Sequence, residues 1–247
     1  MAYESILKQT EHRNYPLPKG KWIGMQDWKH LMFVHFPVYP AFVEHLLPEG
    51  LELDTINEEA WISIVPFKVD KLRIRKLPPL PFLYPFSEVN VRTYVKKDGI
   101  PGVYFFSMDA ANLLAVTGAK IAGLPYFHAK VKLKRRAKKY YFKSVRKSEE
   151  KEIFKATYKP SGKLFYPEEG TIDYWLVERY ALWAYHNDVL IRGDIHHKQW
   201  KIQHADVIID KETLTSAYLP NNAFLSEPLA HYAKSKRVLI WPVRKET

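Results

Sequence analysis

Residues 87–109 read "SEVNVRTYVKKDGIPGVYFFSMD". Val89, Val91, Thr93 and Val95 alternate with Glu88, Asn90, Arg92 and Tyr94, and a period of two makes this a β-strand with two unlike faces. Asp98-Gly99 is a strong hairpin turn, so 87–96 and 102–108 pair as antiparallel strands. The second strand does not alternate. Val103, Tyr104, Phe105, Phe106 and Met108 put apolar bulk on both sides, as in a strand covered on both faces. A two-residue turn sets Asn90 opposite Ser107, Glu88 opposite Asp109 and Arg92 opposite Phe105. If the polar row lies under cover, Glu88 and Arg92 must pair at i and i+4 or bind something, because an unpaired buried charge costs several kcal/mol. Two adjacent carboxylates, Glu88 and Asp109, would raise at least one pKa, which is what a general acid needs. The surface alternative is that Glu88 and Arg92 are solvated and Asp109 only caps a helix. Both readings stay open on the residues alone.

Outward from this hairpin, "DWKHLMFVHFPV" (27–38) reads as a strand and "PAFVEHLLPEG" (40–50) as a short helix opened by Pro40. "LELDTINEEAWISIVPFKV" gives two strands around a turn near Asn57. "KLPPLPFLYPF" (76–86) has four prolines and reads as an irregular apolar loop able to act as a lid. "DAANLLAVTGAKIAG" (109–123) predicts a helix capped by Asp109 and stopped at Gly123. Beyond a turn at 159–163, "TIDYWLVE" is a helical turn capped by Thr171, and "RYALWAY", "VLIRGDIHH" and "RVLIWPV" (237–243) are strands. Many strands with a few short helices define an α+β, mainly antiparallel β class, curled into a barrel or split into two packed sheets.

The absence of cysteine excludes disulfides, thiolate nucleophiles and Cys-ligated metal. The first twenty residues lack the apolar core of a secretory signal, and nowhere do about 18 apolar residues run together, so a cytoplasmic chain with no membrane span is expected. A net charge of +11 raises nucleic acid as a partner. Much of that charge lies in 130–147, where Lys130, Lys132 and Lys134 alternate with Val131 and Leu133 as on a wet strand face, and no recognition helix or RNA-stacking motif accompanies them. A nucleic-acid or regulatory binder using this segment is the alternative reading. No phosphate loop or dinucleotide fingerprint occurs. Ser107 lacks the glycines of a nucleophile elbow and fits a hydrogen-bonding role. His35 is flanked by apolar residues and reads as a core histidine. Adjacent His196 and His197 point to opposite faces and cannot chelate one metal together. Neither a metal nor a cofactor is expected, although His128, His197 and His204 are one conceivable set.

"AWISIVPFKV", "EVNVRTYV", "GVYFFSMDA", "LPY", "VERYALW" and "HHKQW" occur in an order that resembles the DUF2071 (YqjF-like) proteins, from about Trp28 to Trp200. That family is placed in the acetoacetate decarboxylase-like superfamily. The resemblance implies one domain over 1–247, a β-barrel or cone, and a buried small-molecule pocket. True acetoacetate decarboxylases use a Schiff-base lysine beside a second lysine after a Gly-x-Pro step. Here "GLPYFHAK" carries Tyr126, Phe127 and His128 there, with Lys120 and Lys130 off position, so imine chemistry is not expected. The expectation is a small-molecule-binding protein whose ligand is anionic or carbonyl-bearing, with Glu88, Asn90, Arg92, Ser107, Tyr126, Glu178, Arg179 and His197 as ligand-binding residues. Any enzyme activity would be that of a lyase or isomerase using Glu88 as acid/base. Assembly into a homo-oligomer stays open.

Overall fold

The structure, a computed structural model, describes residues 3–78, 80–220 and 222–246. Its strands are β1 (Gly24–Val38), β2 (Glu52–Leu53), β3 (Ala60–Ile74), β4 (Phe86–Lys97), β5 (Ile100–Ala110), β6 (Tyr126–Arg136), β7 (Lys139–Arg146), β8 (Ile153–Pro160), β9 (Ala181–His186), β10 (Val189–His196), β11 (Gln203–Glu212), β12 (Leu229–Ile240) and β13 (Arg244–Lys245). The helices are short: α1 (Glu4–Leu7), α2 (Ala41–Glu44), α3 (Leu113–Ile121) and α4 (Ile172–Val177). All these strands belong to one sheet, antiparallel except where β5 runs parallel to β6 and to β9.

The order β5-β6-β7-β8-β11-β12-β1-β3-β4 closes on itself through the β4–β5 hairpin, giving the cone. β5 and β12 each split their outer edge between two partners. β5 pairs with β9 near Val103 and with β6 near Asp109, while β12 pairs with β11 near His231 and with β10 near Leu239. The wall β12-β1-β3-β4-β5 therefore has cover on both faces. Met32, Val34, Ile62, Val89 and Val91 pack on one side against Phe142, Phe154 and Tyr158 of β7 and β8. Leu31, Phe33, Val65, Phe67 and Phe105 face the other side, toward α4 and Trp200. The alternation of β4 is thus the alternation of a shared wall, and its Glu88–Asn90–Arg92 face looks into the second compartment rather than into water.

The turn at Asp98-Gly99 is as expected, and Arg92 faces Phe105. A bulge between Val91 and Arg92 then inserts Phe106 as an extra residue, so Asn90 meets Met108 and Glu88 meets Ala110. That shift turns Ser107 and Asp109 to the opposite face, opposite Val91 and Val89, which corrects the expected register. Asp109 does not cap a helix either. It remains in β5, and α3 starts later, where the Asn112 side chain accepts from the Ala115 amide at 3.0 Å. α2 stops after Glu44, shorter than the 40–50 span, and the last long strand begins at Leu229 and ends at Ile240. The segment 76–86 contains one tight turn, Pro81–Leu83; its Pro79 lies outside the described residues. On β6, Lys130, Lys132 and Lys134 are exposed, the wet face read from their alternation. Among the described residues no helix is long and apolar enough to cross a membrane.

Candidate functional site

A cavity of about 360 Å³ lies on the second face of the wall, within the size range of small-molecule sites. Trp28, Leu31, Phe33, Phe67, Phe105 and Trp200 make much of its lining, and β4 contributes Phe86, Glu88, Asn90 and Arg92 along one side. Tyr126, Arg179 and His197 complete its polar groups near β4.

Glu88 is 2% exposed, and its Oε2 accepts a hydrogen bond from the Tyr126 hydroxyl at 3.0 Å. Tyr126 is held there because it opens β6 beside Met108, after Gly123 turns the chain out of α3 at φ +83°. Burial raises the Glu88 pKa to about 8, against the opposing pull of the Tyr126 hydrogen bond, with Asp109 adding only a lesser push. The carboxyl is therefore protonated at neutral pH and can donate. Proximity of two carboxylates is not the main cause: Asp109 lies on the far face, paired with Arg146 at 2.8 Å.

Arg92 does not pair with Glu88. Four residues of strand separate their Cα atoms by about 13 Å, beyond the reach of an ion pair on one strand face. Among the described residues no carboxylate neutralises Arg92. Burial pulls its pKa down, against the Tyr94 hydroxyl to which it hydrogen-bonds; its charged neighbour is a second cation, Arg179, and its Nε is buried without a partner. Arg179 is compensated, donating to Asp54 Oδ2 at 2.6 Å and to the Trp175 carbonyl at 2.6 Å. Asn90 Oδ1, Arg179 Nη2 and His197 Nε2 also lack partners, so four cavity residues each carry an unsatisfied buried polar atom. Buried polar groups are normally bonded, and such a cluster marks a place where a polar ligand belongs. Behind them, Tyr94 and Ser63 bind His35 Nδ1 at 2.9 and 2.7 Å, and burial holds that histidine neutral, its pKa well below the ordinary value.

The structure thus gathers Glu88, Asn90, Arg92, Tyr126, Arg179 and His197 around one cavity and leaves two expected residues out. Ser107 is on the opposite face because of the Phe106 bulge. Glu178 is a scaffold group: Oε1 accepts from the Trp200 amide at 2.7 Å and Oε2 from the Tyr180 hydroxyl, which fixes Trp200 and the segment that carries His197. Burial raises its pKa to about 7. The three residues Glu178-Arg179-Tyr180, just after α4, fan out, and only Arg179 reaches the cavity. No lysine is among the described residues that line the cavity. No group of three His, Asp or Glu among the described residues is arranged to hold a metal ion. Asp54 and the aromatic lining escaped the sequence reading. Tyr94 carried a signal, being next on the Glu88–Arg92 face, whereas Asp54 carried none, since its partner lies 125 residues away.

A family model described as DUF2071, an uncharacterized conserved protein, matches residues 25–237. The chain belongs to the DUF2071 family. The family assignment is joined by 43% identity over 244 residues to the uncharacterized protein YqjF of Bacillus subtilis (strain 168), covering 97% of this chain and 99% of that one. Among solved structures, this DUF2071 chain resembles an acetoacetate decarboxylase from Legionella pneumophila with a TM-score of 0.63 and 13% identity over 98% of this chain and 96% of the other. It also resembles the enduracididine biosynthesis enzyme MppR, complexed with pyruvate, with a TM-score of 0.64 and 11% identity over 92% and 91%. At such identities the likeness establishes the fold: this is the acetoacetate decarboxylase-like architecture.

Proposed function

We propose that this DUF2071 chain acts as a single domain that binds a small anionic or carbonyl-bearing organic molecule in the cavity beside β4. The observation that carries this reading is the cavity-facing Arg92 guanidinium, half-buried, with its Nε fully buried and no carboxylate partner among the described residues. Such a charge is strongly destabilising unless an anion joins it, and a guanidinium presents the fork that holds a carboxylate in two hydrogen bonds. Asn90 would orient the ligand. Glu88, neutral up to about pH 8, would donate its proton to a ligand oxygen or take one back. If the bound molecule reacts, that proton supports a lyase or isomerase step without an imine, since no lysine is among the described lining residues. The pyruvate in the MppR complex is consistent with this class of ligand for the fold.

Thermal shift on wild type and Arg92→Ala, against small keto acids, other carboxylates and one duplex oligonucleotide, tests the reading. A ligand at 100 times its Kd adds about 2.7 kcal/mol, or roughly 5–10 °C for a chain of this size. A shift from an acid that disappears in Arg92→Ala is expected. A shift confined to the oligonucleotide and fading with salt would instead assign the function to the basic strands.

A further inference from the structure

The cavity offers more apolar lining than a pyruvate-sized ligand would cover. Its buried charged and hydrogen-bonding groups, Glu88, Asn90, Arg92, Tyr126, Arg179 and His197, stand in and around β4, with Arg92 at one end of the β4 row. Six residues of strand separate Arg92 from Phe86, a span of about 20 Å. Beside that row, on the same face of β1, β3 and β5, Leu31, Phe33, Phe67, Phe105 and Met108 offer no hydrogen bond. A three-carbon acid on Arg92 would leave this apolar length filled with poorly bonded water or with nothing.

The far end is apolar apart from Gln26 and Arg73, whose exposed position leaves its charge in water, unlike that of Arg92. Ile74 and Leu114 both line the cavity and remain exposed, marking its mouth. Next to them in the chain, Leu113 beside Leu114 and Phe82 beside the lining residue Leu83 are 56% and 61% exposed. The Asn112 side chain donates to the Phe82 carbonyl at 2.9 Å, tying the start of α3 to the 76–86 segment and bringing Phe82 and Leu113 to the Leu114 rim. Single exposed apolar residues are ordinary, but several around the opening of an apolar cavity form a continuous path for an apolar ligand.

From these features, and resting on the reading of Arg92 as an anion holder, we infer that the ligand is a monocarboxylic acid with an extended apolar body, an acyl or arylalkyl acid of medium length. It sits carboxylate first, its head on Arg92 and its body running past Asn90 and Glu88 to the Leu114 rim. Protonated Glu88 suits this path, because an ionised carboxylate midway along it would repel the entering head group.

Calorimetric titration of wild type with acetate, butyrate, hexanoate, octanoate and decanoate, at constant pH and salt, tests the inference. Octanamide serves as the uncharged match, and Arg92→Met and Leu114→Asp as variants. Affinity should rise about fourfold for each added methylene from butyrate to octanoate, the transfer value of a buried CH2, with an increasingly negative heat-capacity change. Octanamide should bind at least about tenfold more weakly than octanoate in wild type and equally in Arg92→Met. Leu114 is mostly exposed, so Leu114→Asp should leave the fold and butyrate binding intact while weakening octanoate. Affinity that is flat with length while short acids still bind through Arg92 would overturn the apolar body and leave the anion site standing. Failure of every acid to bind, or equal binding of octanoate and octanamide to wild type, would overturn both.

Discussion

Replacing Glu88 with glutamine should make the protein more stable, increasingly so as pH rises. The unfolded carboxyl ionises near pH 4.5 and the folded one near 8, because burial keeps it neutral. Below pH 4.5 both states hold the proton and the two proteins should match, apart from the small exchange of hydroxyl for amide. Between pH 4.5 and 8 the unfolded state has lost the proton and the folded state has not, so wild-type stability falls by about 1.4 kcal/mol per pH unit. The loss reaches about 3 kcal/mol at pH 7 and levels off near 5 kcal/mol above pH 8. Glutamine has the same shape, still accepts from the Tyr126 hydroxyl and does not titrate. Every other titrating group, Glu178 included, is common to both proteins and cancels in the difference. From pH 5 to pH 9 the gap between the two should therefore widen by about 4 kcal/mol, or roughly 8–16 °C in Tm at 2–4 °C per kcal/mol. Urea unfolding and thermal melts of both proteins across that range measure it. Parallel pH profiles would refute the argument, because they would mean that Glu88 ionises normally and its surroundings are wet.

Arg92→Met, which exchanges a cation with no carboxylate partner among the described residues for an apolar side chain of similar length, should raise Tm in the absence of ligand by about 2–4 °C or more; a clear fall in Tm without ligand would show that the Tyr94 hydroxyl alone compensates the guanidinium. Asp54→Ala should destabilise by about 3–5 kcal/mol in urea unfolding, because it strips Arg179 of its 2.6 Å partner and leaves that guanidinium buried and unpaired. Gly102→Ala should cost about 3 kcal/mol or more: a Cβ there would stand 2.3 Å from the Ala181 carbonyl oxygen and 2.4 Å from the Trp183 ring, where β5 and β9 run side by side. Glu178→Ala should loosen Trp200 and His197 by removing the acceptor of the Trp200 amide and the Tyr180 hydroxyl, read as a change in tryptophan fluorescence and a lower Tm, whereas an unchanged spectrum would remove Glu178 from the scaffold of the cavity.

The β4–β5 hairpin was legible because its information is local: period-two alternation, an Asp-Gly turn and a doubly apolar second strand. The cover over the polar face could be inferred from Phe105 and Phe106, but the way it forms, with β5 and β12 each dividing an edge between two partners, joins residues too far apart to leave a local pattern. Ser107 and Asp109 were misplaced by one inserted residue, Phe106, which carries no glycine or proline to announce a bulge. The start of α3 moved for a related reason. Asp109 and Asn112 are both good caps, and ladder partners on β4 and β6 together with the buried ion pair with Arg146 keep Asp109 in the strand. β11 was not foreseen because Ile208 points outward between inward Val207 and Ile209, so its apolar run hides the alternation. Arg92 itself was visible, yet its lack of a carboxylate partner is a property of the whole fold, since only packing reveals that Asp54 serves Arg179 and Asp109 serves Arg146.

The most direct test of the central claim is the position of a bound carboxylate. A crystal structure of wild type grown with octanoate should show the carboxylate oxygens 2.7–3.2 Å from the Arg92 guanidinium nitrogens and the chain running along β4 toward Leu114. Density for octanoate only on the basic strands, or a cavity left empty by both saturating octanoate and saturating butyrate, would contradict the account and return the Glu88–Asn90–Arg92 face to a structural role.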